Sequence, residues 1–415
     1  MGRAWIYALG LVWFLGGCQP APKNRTSPLI HSAYIWRQGW NAEAASGLQA
    51  SALPAEITEL NVVVAELGLG SVARRIHPPW TALRESQRQI SLSVRVGTQA
   101  TLGGPQEPAL GEAFKLLREG LGQAQTAGVT VVAVQIDYDC PVRLLGAYAE
   151  RIAEFKKQGG LPKVSVTALP SWLSAPGCQQ LLQTADTWTL QVHGTARPNL
   201  AKQNALFNAK DAMHWVSQAS AWQRPFRLAL PTYSTLACFA KSGAYVGLKS
   251  EGSELPRGTA QCKPMSADPA EIAVFLKWLN TPDGVYVTAV DWFRLPLPGD
   301  RQNWTMLGLT KVLRGEVGLA ECTVAVKSQG SLYDLVVTNP TEYPLPLPSL
   351  GVQWGQPALQ GADATLDWKT ELTPQGLSFL HASQAGFLAP QEQRTVGWLR
   401  LSDAAELKVK FLQEE

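Results

Sequence analysis

Eight short aliphatic runs, most of them separated by longer amphipathic stretches, set the strongest limit on what this chain can fold into. The runs lie at 32–36, 60–66, 90–96, 129–137, 163–169, 187–193, 226–231 and 285–291. Helical patterns fall between or after them at 110–127, 143–158, 205–223, 269–280 and 303–314. Strands that alternate with helices predict a parallel sheet. Eight such units over roughly 280 residues predict an α/β chain whose main part is a (β/α)8, or TIM, barrel. An open doubly wound sheet is the competing architecture, but no glycine-rich phosphate loop follows an early strand.

Side chains along a strand alternate between two faces. In a barrel the outer face packs on helices, so the aliphatic members of each run belong there. In the fourth run Val132, Val134 and Ile136 take the outer face, leaving Val131, Ala133, Gln135 and Asp137 inside, with Asp139 just beyond. The same split places Ser91, Ser93 and Arg95 inside from the third run, Ser165 and Thr167 from the fifth, and Thr189, Gln191 and His193 from the sixth. The seventh contributes Arg227, Pro231 and then Tyr233. The predicted interior is polar and grows more so toward the strand C-termini. Buried polar groups without partners cost several kcal/mol. This lining therefore predicts either an internal network, such as Arg95 against Asp137, or a polar ligand pocket at the C-terminal mouth.

One connection is long. Residues 235–264, after the seventh run, are rich in Gly, Ser and Lys and read as a loop of functional length. Past residue 314 the helical patterns stop. Short strands are expected at 323–326, 333–338, 349–354, 364–368, 377–381 and 395–401, punctuated by Gly, Pro and Asn. They predict a small all-β, sandwich-like C-terminal domain.

The N-terminus reads as a targeting segment. Arg3 precedes an apolar stretch over 4–15, too short to span a bilayer comfortably, which ends in Leu15-Gly16-Gly17-Cys18. Small residues before a Cys resemble a bacterial lipobox, in which Cys18 is lipidated and becomes the mature N-terminus. An ordinary signal peptide is the alternative. The expected organisation is a lipoprotein signal peptide at 1–18, a polar tether at 19–29, the barrel at 30–315 and the β domain at 316–415. This places the protein in the cell envelope, anchored to a membrane, and on the periplasmic face of an outer membrane in a Gram-negative host.

In that oxidising setting disulfides persist. Five cysteines remain after Cys18, so at least one is unpaired. Cys238 and Cys262 flank the long loop and form the favoured bridge; Cys140 with Cys178 is a second pairing. With five scattered His and no Cys-x-x-Cys pair, no metal site is expected. No cofactor motif appears, so no cofactor is expected. A net charge of only +3 without a basic run argues against a nucleic-acid partner. The 15 Trp supply either core or flat faces for sugar rings.

Several motifs resemble a known family. Val-Gln-Ile-Asp-Tyr-Asp at 134–139 is similar to the fourth-strand signature of chitinase-type glycoside hydrolases. Leu-Pro-Thr-Tyr at 230–233 resembles that family's Pro-x-Tyr, and Val-Asp-Trp at 290–292 sits where the family has a Trp flooring the sugar site. Together with Val-Thr-Ala-Leu-Pro-Ser-Trp at 166–172 and Asp-Arg-Gln-Asn-Trp at 300–304, these segments look most like domain-of-unknown-function family 3142. That family consists often of bacterial lipoproteins and is a distant barrel relative of glycosidases. The resemblance spans roughly residues 30–315 and leaves the C-terminal domain unassigned.

The resemblance implies a carbohydrate ligand. It makes Asp139 the proton donor, Asp137 the group that orients the substrate's acetamido nucleophile, and Tyr233 the stabiliser of developing charge. Trp292 would stack on a sugar, and Arg95, Gln135, Gln191 and His193 would complete the binding surface. Two departures stand out: the family has Asp at the position of Gln135 and Glu at that of Asp139. Aspartate withdraws the carboxyl by about 1 Å, and a misplacement of that size can cost about a hundredfold in rate. Two functions are therefore carried forward, a glycoside hydrolase and a non-catalytic glycan-binding or scaffold lipoprotein. Each residue also has a structural reading. In that reading Asp137 pairs with Arg95, Asp139 caps the next helix, Tyr233 lines a wall and Trp292 packs in the core.

Overall fold

The computed structural model describes residues 27–412 apart from 38, 69–72, 98–107, 319 and 383–385. Cys18 and the targeting segment lie outside the described residues.

The eight barrel strands are Ile30–Ile35, Ile57–Leu67, Gln89–Val96, Val131–Tyr138, Lys163–Ala168, Thr187–Gln191, Phe226–Pro231 and Val287–Phe293. They are all parallel, and the sheet closes because the first strand pairs with both the second and the eighth. Helices Pro108–Thr126, Leu145–Lys157, Ala209–Ser220, Pro269–Leu279 and Met306–Arg314 correspond to the five expected helical patterns. Three shorter ones, Ala42–Ser46, Trp80–Glu85 and Cys178–Thr184, complete the βα units. The main apolar core lies between strands and helices. There Leu92, Val94, Val134, Ile136, Val164 and Leu190 are all fully buried, as the alternation predicts.

The segment after the seventh strand is not a loop. Ser234–Phe239, Tyr245–Lys249 and Gln261–Ser266 form a three-stranded antiparallel sheet with the first of these in the middle. Cys238 and Cys262 are directly paired across it and disulfide-bonded. Turn-forming residues between the strands make this stretch read as irregular, although each strand is only five or six residues long. Cys140 and Cys178 are both buried and are not bonded to each other.

The C-terminal part contains two four-stranded antiparallel sheets. One holds Thr323–Gln329, Leu332–Thr338, Gln393–Leu401 and Leu359–Ala364; the other holds Trp368–Thr373, Gly376–His381, Ser349–Gln353 and Lys408–Leu412. Leu335, Val337, Leu350, Phe379 and Leu399 fill the core between them. The strand expected at 364–368 is instead the turn joining Leu359–Ala364 to Trp368–Thr373, where Leu366 is fully exposed. This part docks on the barrel through Tyr343, edge-on to Trp304 at 5.3 Å, and through Glu342, which accepts from the backbone N–H of Thr305 via its carbonyl at 2.9 Å. No described helix is long and apolar enough to cross a membrane.

Candidate functional site

The inward faces of the eight strands build two polar layers. Apart from Asn61 Oδ1 and the Ser93 hydroxyl, which have no partner among the described residues, the lower layer is satisfied internally. Arg227 donates to Asp291 at 2.6 Å and to Glu59 at 2.7 Å, and the Thr189 hydroxyl donates to Asp291 at 2.9 Å. Beside them the Gln135 carbonyl accepts from Tyr34 at 2.7 Å and from Asn61 at 2.9 Å, while its amide faces Thr189 at 3.2 Å. Burial is tolerated because the charges and amides find partners. Gln135 is therefore not among the residues that line the upper cleft. It belongs to the packed layer beneath, since it sits one inward position below Asp137.

The upper layer opens at the strand C-termini into a cleft of about 940 Å3. Arg95 on the third strand is in register with Asp137 on the fourth. Its guanidinium donates to Asp137 Oδ2 at 2.7 Å and, through the other terminal nitrogen, to Asp139. The second Asp137 oxygen accepts from the Thr167 hydroxyl at 2.7 Å, so both of its oxygens are engaged. About a quarter of the Asp139 side chain remains exposed, at 26%. Burial pushes the Asp139 carboxyl above its ordinary pKa; Arg95 pulls it back, and Asp137 adds to the rise. The helical turn Val142–Leu144 begins after Pro141 and has no side-chain cap, which removes the capping role for Asp139.

Gln191, His193 and Tyr233 also line the cleft. Gln191 donates its amide to the His193 carbonyl at 3.0 Å. The His193 ring is buried, and its Nδ1 has no hydrogen-bond partner among the described residues. Burial holds its pKa down at about 4, so the ring is neutral at ordinary pH. Burial likewise pushes the Tyr233 phenol up to about 12, leaving it a protonated donor.

Trp292 is not in the cleft. Its ring is fully buried on the outer face of the eighth strand, where Nε1 donates to His31 at 3.2 Å and the ring lies beside Trp304. Alternation explains this: Asp291 points inward to Arg227, so Trp292 must point out. The aromatic that does face the cleft is Phe293. It stacks on His193 at 5.6 Å with planes 25° apart, and it meets Tyr233, Tyr34 and Trp36 at 5.4–5.7 Å.

Further lining residues escaped the sequence reading. Glu66 accepts from Trp36 Nε1 at 2.6 Å at the cleft wall. Strict alternation from Asn61 would turn Glu66 outward, but a bulge between Val63 and Ala65 shifts the phase by one. Trp172, from the turn after the fifth strand, and Trp215, from helix Ala209–Ser220, add aromatic wall. Trp172 stood within a quoted motif, and only its position beyond the strand hinted at a role. Among the described residues no cluster of His, Cys, Asp and Glu has the geometry of a metal site.

The fold and this mouth define a (β/α)8-barrel protein with a polar, aromatic-walled cleft at the strand C-termini, the usual ligand position in such barrels. Residues 92–298 match the family described as Domain of unknown function (DUF3142). The resemblance read from the strand motifs is thereby shown over that segment. Residues 322–402 match a second family, described as Domain of unknown function (DUF8456). No curated protein matches the chain. Solved structures similar to it include the spore cortex-lytic enzyme SleL of Bacillus cereus, at 11% identity and TM-score 0.49, covering 72% of this chain and 76% of that one. A chitinase from Bacteroides thetaiotaomicron is similar at 10% identity and TM-score 0.46, covering 65% and 90%. The chitinase ChiA74 from Bacillus thuringiensis is similar at 10% identity and TM-score 0.42, covering 93% and 100%.

Proposed function

We propose that this is a glycoside hydrolase-like lipoprotein of the cell envelope that takes a glycan into the cleft and acts on it there. The observation that carries the reading is the cleft lining, where Arg95 bridges Asp137 and Asp139 in the same cleft as Phe293 and the aromatic walls. Aromatic faces receive the apolar side of a sugar ring, and the carboxylates receive its hydroxyls.

Hydrolysis needs a proton donor at the glycosidic oxygen and a second group that stabilises the cationic sugar. Asp139 is the donor in this reading, because it is the more exposed of the two acids and burial raises its pKa. Asp137, fixed by Arg95 and Thr167, orients the substrate group that attacks. Tyr233 donates to the charge that develops there. Arg95 holds only Oδ2 of Asp139, so the proton to be donated belongs on Oδ1, and loosening the pair on ligand binding favours it.

The same pair favours a second reading. A guanidinium shared by both acids engages the groups that hydrolysis would need free, which suits a non-catalytic glycan-binding or scaffold lipoprotein. Incubating the purified protein with envelope and storage glycans separates the two. New reducing ends support the hydrolase, binding without cleavage supports the binder, and the absence of both binding and cleavage overturns the glycan reading.

A further inference from the structure

The C-terminal sheet displays a tryptophan that the cleft does not use. In strand Gln393–Leu401 the neighbours Val396, Leu399 and Leu401 are fully buried in the core, whereas Trp398 points out and is 38% exposed. Isolated exposed apolar residues such as Leu366 are ordinary on a protein surface. Trp398 differs in its setting. It is paired on one side with Asp334 and on the other with Asp363, both exposed. Directly paired residues of an antiparallel sheet share a face, so a carboxylate flanks the indole on each side. Lys327, paired with Asp334, continues that row. Arg400 stands two residues along on the same face.

The indole also has room to lie down. A Cβ built on Gly361 would come within 3.5 Å of Trp398 Cη2, so the outer ring leans over bare backbone of the adjacent strand.

We infer that Trp398, with Asp334 and Asp363, is a second glycan-contact site on the C-terminal sheet, separate from the barrel cleft, which takes a pyranose unit of a polysaccharide. The match is chemical. A pyranose presents an apolar C–H face edged by hydroxyl donors, and this surface presents an apolar ring edged by carboxylate acceptors. A large apolar ring left in water and rimmed by acceptors suits such an amphipathic ligand better than a purely apolar partner, which would desolvate both carboxylates and offer them no donor; Asp363 Oδ1 already accepts from the Ala364 N–H at 2.8 Å, which leaves its other oxygen and both of Asp334 for a ligand. This inference rests on the glycan reading of the cleft for the choice of a sugar, but not for the site's position. Its consequence is avidity. A second contact on the same chain raises the effective concentration of a long polymer at the cleft and adds nothing for a ligand too short to reach both.

The test uses the full chain with chitin beads and purified peptidoglycan sacculi as polymers and chitotriose as the short ligand. Trp398→Ala should weaken retention on the polymer the wild type binds by about tenfold or more. It should leave chitotriose affinity and the melting temperature unchanged, and Trp398→Phe should restore most of the retention. Trp215→Ala, in the cleft wall, should weaken both ligands. If Trp398→Ala is retained like the wild type while Trp215→Ala is not, the second site is overturned and the cleft reading stands. If polymer retention depends on Trp398 and no ligand responds to Trp215, the second site stands and the cleft reading falls. If the wild type binds none of these glycans, both are overturned.

Discussion

Arg95 Nη1 lies 2.7 Å from Asp137 Oδ2, joining two strands in register, and the same guanidinium also holds Asp139. Any acid catalysis must pass through this arrangement. Asp139→Asn keeps size and hydrogen bonding but cannot donate a proton as an acid. On a glycan that the wild type cleaves, the variant should retain its fold and binding while turnover falls at least a hundredfold. Full turnover in Asp139→Asn, measured as reducing-end release, would reject Asp139 as the acid.

Phe293 and Trp292 are adjacent but face opposite ways, so their substitutions should separate stability from binding. Trp292→Ala opens a core cavity and should cost about 3–5 kcal/mol in denaturant unfolding. Phe293→Ala should weaken glycan affinity with a smaller loss of stability. A Trp292→Ala variant as stable as the wild type would contradict the buried position.

His193 makes a prediction about pH. Its pKa is held down at about 4 by burial, against 6.5 for the unperturbed group. A lowered folded-state pKa means the unfolded chain takes up the proton first on acidification. The contribution is fully present above pH 6.5 and is lost as pH falls toward 4. The loss attributable to His193 should be roughly 3 kcal/mol over that window. His31, also lowered to about 4 by burial, adds a parallel term. Urea unfolding at several pH values should give a shallower acid dependence for His193→Gln. Identical slopes would show that the ring is not buried neutral.

The disulfide closes 24 residues of sequence separation around the small sheet. Replacing both Cys238 and Cys262 with Ser should lower stability by about 3 kcal/mol in the chain-entropy view. Peptide mapping without reductant should recover the two cysteines in one linked fragment. Two free thiols in the protein purified without reductant would rule the bond out.

The proposed membrane attachment rests on Cys18. Cys18→Ser should leave an unprocessed precursor and abolish acyl labelling in the expressing bacterium. Labelling that persists in the variant would remove the basis for an envelope anchor.

The sequence by itself determined the barrel and the polarity of its interior. Both follow from local periodicity: strand side chains alternate every two residues, and helices must cover the aliphatic face, so Arg95, Asp137, Thr167 and His193 are assigned inward without knowing any neighbour. The same rule, applied strictly from Asp291, points to Phe293 rather than Trp292. There the resemblance to a family motif misled where the alternation did not. Other features were decided only by tertiary structure, because their cause lies in a distant strand. The bulge that turns Glu66 into the cleft is defined by pairing with the third strand. The antiparallel sheet at 234–266 exists through contacts among its own three segments. Arg95 is shared between Asp137 and Asp139 because barrel closure and register bring residues 42 and 44 positions apart within reach of one planar guanidinium. Periodicity fixes which way a side chain points; only the closed sheet fixes what it meets there.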